Sequence, residues 1–196
     1  MATGNENKVR EIREMLKGDD LEIVSLKEAG VSADIVENGA TFEENAVIKA
    51  EKVRDLTGLI VLADDSGLEI DYLGGEPGVH SARFMGEDTS YDIKNAALIS
   101  KLEGVPAEER SARFVCAMAI AYPDRPTEVF RGVFEGMIAE KPAGENGFGY
   151  DPVFYLPEYG CTSAELLPEE KNAISHRGRA LRLAVEALKE LGETAH

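Results

Sequence analysis

The chain has 196 residues, of which 43% are hydrophobic and 30% charged, and its net charge is −16. This length predicts one domain over residues 1–196, with room for two lobes and for a core that needs no disulfide. The negative charge argues against a nucleic-acid polymer as partner, and no apolar run approaches the ~20 residues of a membrane span. With no signal peptide expected and two cysteines, Cys116 and Cys161, the sequence predicts a cytoplasmic protein that contacts no membrane.

The first predicted element is a helix that follows a glycine-containing loop. Asn5 is a suitable N-cap, and apolar residues then recur at helical spacing until Gly18. A loop that leads into a helix N-terminus can bind an anion, because free N–H groups and the helix dipole both favour phosphate. Lys8 would add a positive charge there. Most Asn-capped helices bind nothing, and the chain contains no Walker A motif, so this loop alone identifies no site.

A short strand over 21–26 and a loop over 27–40 are predicted next, followed by a second helix. Thr41 and Glu44 form a capping-box pattern, and the helix continues to about Leu56. Its buried stripe comprises Ala46, Ala50 and Val53, and its polar stripe comprises Asn45, Lys49 and Lys52. A polar stripe is usually a solvated face. Here a strand–helix–strand unit would bring Lys49 near Asp65.

The central stretch of the chain predicts two strands that meet at a pair of acids. The apolar run 59–63 has the character of a buried strand, and it stops at Asp64 and Asp65. Ser66 and Gly67 then predict a turn into a second, alternating strand. Carboxylates at a strand end suit a ligand site, and adjacent strand residues point to opposite faces. Asp65, nearer the turn, is therefore the candidate site residue; the alternative is that these residues form only a turn.

The second half of the chain alternates helices with strands. The predictions are a helix that is capped by Asp88 or Thr89 and ends at about Leu102, strands over 111–122, 127–138 and 153–156, a polar turn over 162–166 and a helical turn over 168–171. Cys116 falls in the strand 111–122 and is most simply a small core residue. The alternation predicts an α/β fold with a mixed sheet.

Two further segments carry unusual residues. In the glycine-rich loop 142–152, Phe148 and Tyr150 would either stack on a planar ring or fold back on the core. Ser175 is the predicted cap of the last helix, whose buried stripe begins at Leu181. Cations crowd the first turns of that helix against its dipole, which indicates either an anion there or side chains that reach solvent. These cations are His176, Arg177, Arg179 and Arg182.

Taken together, motifs along nearly the whole chain resemble the inosine triphosphate pyrophosphatase family, also called XTP/dITP diphosphatases. The matching motifs lie at 3–8, 42–50, 63–68, 73–78, 81–84, 147–152 and 171–177. Each motif alone is weak, but the ordered set is highly specific. This chain departs from the family pattern in one respect. Family members generally carry a short apolar strand before the Thr3-Gly4-Asn5 loop, whereas here only Met1 and Ala2 precede that loop.

The resemblance implies a two-lobed α/β fold around a long mixed β-sheet flanked by helices, with the active site in the cleft between the lobes, and a homodimer. It also implies Mg²⁺-dependent hydrolysis of a nucleoside triphosphate, with hypoxanthine or xanthine as base, to the monophosphate and pyrophosphate. A non-catalytic nucleotide sensor and a phosphohydrolase that releases orthophosphate are the alternatives. The intact Asp64-Asp65 pair argues against the sensor.

The resemblance also assigns roles to individual residues. Asp65 would be the catalytic proton acceptor and a metal ligand, with Glu37 as second metal ligand and Glu44 as the alternative. The residues expected to contact the triphosphate are Thr3, Gly4, Asn5, Glu6, Asn7, Lys8 and Lys49, with Ser66 as a further substrate contact. The residues expected to hold the base and sugar are Phe148, Gly149, Tyr150, Asp151, Lys171, His176 and Arg177.

Overall fold

The structure is a computed structural model that describes residues 1–194. Its helices are α1 (Glu6–Met15), α2 (Phe42–Thr57), α3 (Tyr91–Lys101), α4 (Pro168–Ile174) and α5 (His176–Thr194). Its strands are β1 (Val61–Ile70), β2 (Ser111–Ala121), β3 (Glu128–Ile138), β4 (Phe154–Leu156) and β5 (Cys161–Thr162). They form one sheet in the order β1-β2-β3-β4-β5, and β4 pairs antiparallel with β3 and β5. The predicted α/β class is confirmed.

The chain divides into two compact units, which agrees with the expected two lobes. The first unit holds residues 1–65, 116–132 and the segment from His176 onward, and the second holds residues 66–115 and 133–175. That residues 1–196 form a single domain stays a prediction. No helix within residues 1–194 is long and apolar enough to cross a membrane.

The core of the first unit joins α1 and α5 to parts of β1 and β2. Ile12 of α1, Leu62 of β1, Met118 of β2 and Leu181 of α5 pack in one apolar cluster. The predicted buried stripe of α2 is confirmed, since Ala46, Ala50 and Val53 are all buried, as is Cys116. Helix periodicity in the sequence therefore identifies the core faces correctly.

The core of the second unit surrounds a group of aromatic rings. Phe154 lies 4.4 Å from Phe114 and 5.3 Å from Phe134, measured between ring centroids. Leu68, Leu98 and Ile138 are among the aliphatic residues packed in the same cluster. This core holds one side of α3 and the segment before β4, which carry several of the residues described below.

The predicted turn at Ser66 and Gly67 is wrong. β1 is one continuous strand of 10 residues, Val61–Ile70, and all of it except Ser66 and Glu69 is buried. A turn would leave the polar backbone of this segment without ladder partners inside the protein, whereas an extended strand satisfies it. Asp64 and Asp65 consequently lie in the middle of β1, not at its end.

The predicted strand over 21–26 is also wrong. Carbonyl groups of this segment accept hydrogen bonds from charged groups and not from the backbone of a neighbouring strand. The Ile23 carbonyl accepts hydrogen bonds from the Arg13 guanidinium, and the Val24 carbonyl accepts one from the N-terminal ammonium. The N-cap of α3 is Ser90, one or two residues later than the predicted cap at Asp88 or Thr89. The 162–166 turn contains the end of β5 and a short 3-10 helix, Ser163–Glu165. The helical turn at 168–171 extends to Ile174 as α4.

Candidate active site

The loop before α1 is held by its own side chains. The Thr3 hydroxyl accepts a hydrogen bond from the Asn5 N–H at 3.1 Å, and Oδ1 of Asn5 accepts from the N–H groups of Asn7 at 3.0 Å and Lys8 at 3.4 Å. The predicted N-cap is therefore confirmed. The Ala2 N–H donates to the Leu62 carbonyl at 2.8 Å, which ties the start of this loop to β1.

Asp64 is the centre of a buried charge cluster. It is 0% exposed, its Oδ2 lies 2.8 Å from Nζ of Lys8, and Nε of Arg177 lies 3.7 Å away. Arg177 also pairs with Glu11 of α1 at 2.6 Å. Burial favours the neutral form of Asp64, but Lys8 and Arg177 outweigh it and lower its pKa to about 2. Asp64 is thus a stably ionised anchor for two cations.

Asp65, the next residue of β1, has different partners. Its Oδ1 lies 3.4 Å from Nζ of Lys49, which also lies 3.0 Å from Oε2 of Glu37. The expectation that α2 brings Lys49 near Asp65 is confirmed. Burial raises the pKa of Asp65 despite the opposing charge of Lys49. For Lys49, burial acts to lower the pKa, but the carboxylates of Asp65, Asp64 and Glu37 outweigh it and the pKa is raised.

One oxygen of Asp65 has the character of a metal ligand. Oδ2 is buried and accepts no well-formed hydrogen bond from the described residues, although Asn45 lies close enough to favour the ionised form. A buried carboxylate oxygen without a donor suits a hard cation such as Mg²⁺, which prefers carboxylate oxygens. Among the described residues no group of three or more His, Cys, Asp or Glu could hold a metal. Phosphate and water oxygens would therefore have to complete the coordination.

The two candidates for a second metal ligand differ in their partners. Oε2 of Glu37 contacts Lys49, which also contacts Asp65. Oε2 of Glu44 instead accepts a hydrogen bond from the Ala40 N–H at 2.6 Å, and the Glu44 N–H donates to Thr41. The capping function of Glu44 is therefore confirmed, but its carboxylate accepts from the N–H of Ala40, whereas in a standard capping box it would accept from the N–H of the N-cap Thr41. This arrangement favours Glu37, and its metal-binding role stays a prediction.

The cations at the start of α5 divide into two kinds. His176 and Arg177 are buried, whereas Arg179 and Arg182 are exposed. Arg177 is neutralised by Glu11 and Asp64, and these carboxylates raise its pKa despite burial. The sequence suggested that these cations either bind an anion or reach solvent. Arg177 does neither, because it is buried and its partners are carboxylates of the same chain.

In the second unit, Asp151 is the central acceptor of the glycine-rich loop. Its Oδ2 accepts hydrogen bonds from Nζ of Lys171 at 2.6 Å and from the Phe148 N–H at 2.9 Å, and its Oδ1 accepts from the Ser163 hydroxyl at 2.8 Å. A Cβ on Gly147 would lie 2.1 Å from Oδ2 of Asp151, so only glycine fits there. Nζ of Lys171 also lies 5.2 Å from the centre of the Phe148 ring.

The two aromatic residues of this loop behave differently. Tyr150 folds back on the core, where its hydroxyl donates to the Ser81 carbonyl at 2.6 Å and its ring meets the Tyr91 ring edge to face. Phe148 is only partly buried. Of the two alternatives for this loop, folding back on the core therefore applies to Tyr150, and the stacking role of Phe148 stays a prediction.

Sequence reasoning brought out Lys8, Lys49, Asp65, Asp151 and Lys171, but it missed several residues that contact the predicted site residues or the segments beside them. The missed residues are Glu11, Ser163, Tyr91, Lys94 and Asn95. Glu11, Lys94 and Asn95 carried a usable signal, since each is a polar residue on the buried side of an amphipathic helix. Ser163 carried none, because only the tertiary structure brings its segment against Asp151.

The fold and these two charge clusters define an α/β protein in which lysine and arginine side chains form buried ion pairs with carboxylates. A family model described as Ham1 family matches residues 1–187, and the chain belongs to that family. It is 53% identical over 192 residues to a dITP/XTP pyrophosphatase of Geobacillus kaustophilus, covering 97% of this chain and 94% of that one. It is 54% identical over 183 residues to a dITP/XTP pyrophosphatase of Bacillus licheniformis, covering 93% of each chain.

Solved structures agree with this assignment. A HAM1 protein from Coxiella burnetii superimposes with a TM-score of 0.87 at 43% identity, covering 96% of each chain. The family resemblance drawn from the motifs is thus confirmed. The substrate and metal roles of the individual residues stay predictions.

Proposed function

We propose that the protein is a Mg²⁺-dependent nucleoside triphosphate pyrophosphatase that hydrolyses dITP, ITP and XTP to the monophosphate and pyrophosphate, and so removes non-standard purines from the nucleotide pool. The observation that carries this proposal is Asp65, a buried carboxylate with one oxygen free of well-formed hydrogen bonds and the other beside Lys49. The near full-length similarity to two dITP/XTP pyrophosphatases supports the substrate class.

Asp65 and Glu37 would hold the Mg²⁺ ion. When bound, Mg²⁺ would neutralise phosphate charge and lower the pKa of the attacking water. Asp65 is suited to accept the proton from that water, because its carboxylate is buried and one of its oxygens accepts no well-formed hydrogen bond from the described residues. Ser66, which follows it on β1, would contact the substrate.

The lysines would carry the phosphate chemistry. Lys8 and Lys49 are each held by a carboxylate in β1, so their ammonium groups are fixed in place before substrate arrives. Fixed charges of this kind stabilise the developing negative charge on the leaving pyrophosphate without reorganisation. The loop residues Thr3, Gly4, Asn5, Glu6 and Asn7 would bind the triphosphate chain together with Lys8.

The glycine-rich loop and the residues near Lys171 and Arg177 would supply contacts to the base and sugar. Phe148 would stack on the purine, with Gly149, Tyr150 and Asp151 shaping the loop around it. Stacking alone cannot separate purines, so Lys171 or backbone N–H groups near His176 and Arg177 would bond the 6-oxygen of hypoxanthine or xanthine. Adenine carries an amino group there and would leave a donor unsatisfied. Homodimer formation and a cytoplasmic location are part of the same proposal.

The decisive experiment is product identification. Purified protein is incubated with ITP and Mg²⁺, and the products are separated by ion-exchange chromatography. Equal amounts of IMP and pyrophosphate are expected, and chelation of Mg²⁺ by EDTA should stop the reaction. IDP with orthophosphate would instead support the phosphohydrolase alternative. Tight ITP binding without any product would support the nucleotide sensor.

A further inference from the structure

The buried face of α3 is unusually polar. Tyr91, Lys94, Asn95 and Leu98 follow the i, i+3, i+4, i+7 spacing of one helix face. Lys94 is 1% exposed and Asn95 is 4% exposed, although charged and amide side chains are seldom buried so completely. Burying an ammonium group costs free energy unless its donors are used. The role of these two residues must therefore lie in what they contact.

Asn95 contacts the glycine-rich loop directly. Its Nδ2 donates a hydrogen bond of 3.1 Å to the Gly149 carbonyl, 54 residues away in the chain. One turn earlier on α3, Tyr91 packs its ring against Tyr150 edge to face, with centroids 5.1 Å apart. Gly149 and Tyr150 are therefore both held by the same face of α3, one through its backbone and one through its ring.

Lys94 holds a second segment that contacts this loop, the backbone of residues 81–82. Its Nζ donates to the Ala82 carbonyl at 2.7 Å and lies 4.9 Å from the centre of the Tyr91 ring. Lys94 forms no ion pair with any side chain that the structure describes. The preceding carbonyl, that of Ser81, accepts the hydrogen bond of the Tyr150 hydroxyl at 2.6 Å. Lys94 thus restrains the peptide group that directly follows the one to which the Tyr150 hydroxyl is hydrogen-bonded.

We propose that Lys94 and Asn95 are positioning residues that set purine selection by fixing the backbone of residues 149–150 beside Phe148. This inference rests on the proposed function, in which Phe148 stacks on the base and neighbouring donors read its edge. A donor discriminates between a carbonyl and an amino group only if it is held within a narrow range of distance and angle. A loop released from α3 would still stack on any purine, so binding of ITP would weaken while ATP would lose little.

The test uses the full chain with the near-isosteric change Asn95→Asp, which replaces the amide donor by an acceptor facing the Gly149 carbonyl. A second variant, Lys94→Met, removes the ammonium and keeps the aliphatic stem, with Lys94→Arg as the conservative rescue. Ala96→Ser, at an exposed position of the same helix, is the matched control. Steady-state kinetics with ITP and ATP are combined with hydrogen exchange of the peptide that covers 147–151, measured by mass spectrometry without substrate.

For Asn95→Asp and Lys94→Met we expect faster exchange of the 147–151 peptide, with exchange in α5 unchanged. The ratio of kcat/KM for ITP to that for ATP should fall about tenfold, mainly through a higher KM for ITP, and Lys94→Arg should recover part of it. Unchanged loop exchange in a folded variant, or faster exchange with an unchanged ITP to ATP ratio, would overturn the proposal. If the wild-type protein hydrolyses neither nucleotide, the proposed function fails, and the exchange measurement still decides whether α3 fixes the loop.

Discussion

Nζ of Lys8 lies 2.8 Å from Oδ2 of Asp64, a carboxylate with no exposed surface. Breaking a buried pair by removing one partner leaves the other charge buried without compensation. We therefore expect Asp64→Asn to lower the free energy of unfolding by about 3 kcal/mol, measured by urea denaturation near neutral pH. Asp55→Asn, at an exposed acid, is the control and should change it by less than about 0.5 kcal/mol. An unchanged unfolding midpoint for Asp64→Asn would show that Asp64 is not a structural anchor.

The same carboxylate predicts a loss of stability in acid. Burial opposes the ionised form, but Lys8 and Arg177 outweigh it and lower the pKa of Asp64 from 3.8 to about 2. A carboxyl group with a lowered pKa stabilises the folded state above its unfolded pKa, and this contribution disappears as the pH falls through the folded value. Between pH 5 and pH 2, we expect wild type to lose about 2 kcal/mol more of its unfolding free energy than Asp64→Asn. Parallel curves for the two proteins would contradict this assignment.

Asp65→Asn should separate catalysis from stability. The change keeps the shape of the side chain but removes the charge that would bind the metal and accept the proton. We expect kcat for ITP to fall by at least ~100-fold, as for loss of one key electrostatic group, with a melting temperature close to that of wild type. Pyrophosphate release gives the rate and differential scanning calorimetry gives the stability. Near-normal turnover would move the catalytic role away from Asp65.

Lys171→Met should test which group reads the base. Lys171 is held by Asp151 at 2.6 Å, so its ammonium has a fixed position beside the Phe148 ring. We expect the preference for ITP over ATP, in kcat/KM, to fall by about 10–100-fold, the cost of an unsatisfied or missing donor. Lys141→Met, at an exposed lysine, should keep the preference. If the preference survives in Lys171→Met, backbone donors near His176 and Arg177 read the base.

Gly147→Ala should destabilise the loop more than a matched glycine elsewhere. Gly147 has φ of +71° and its Cβ would lie 2.1 Å from Oδ2 of Asp151, which is held by hydrogen bonds to other groups. Gly160 has φ of +67° and nothing within 4 Å of its Cβ. Gly160→Ala should cost about 1–2 kcal/mol from backbone strain alone, and Gly147→Ala about 1–3 kcal/mol more from the clash. Equal losses in thermal denaturation would mean that Asp151 can move aside freely.

The sequence determined what depends on near neighbours along the chain. The caps at Asn5 and Thr41 and the buried stripes of α2 and α5 were predictable, because capping and helix periodicity involve residues within a few positions of each other. The approach of Lys49 to Asp65 followed from the same logic. It needs only one helix to pack against the strand that directly succeeds it.

Only the tertiary structure decided which distant groups neutralise one another. Arg177 pairs with Glu11, 166 residues earlier in the chain, and Asp151 gathers donors from Ser163 and Lys171. β1 continues through Ser66 and Gly67 because its surroundings bury that segment, although the residues themselves favour a turn. Burial sets these outcomes, since a charge or peptide group removed from water must bond to whichever partner the fold brings to it. That partner has no fixed spacing in the sequence.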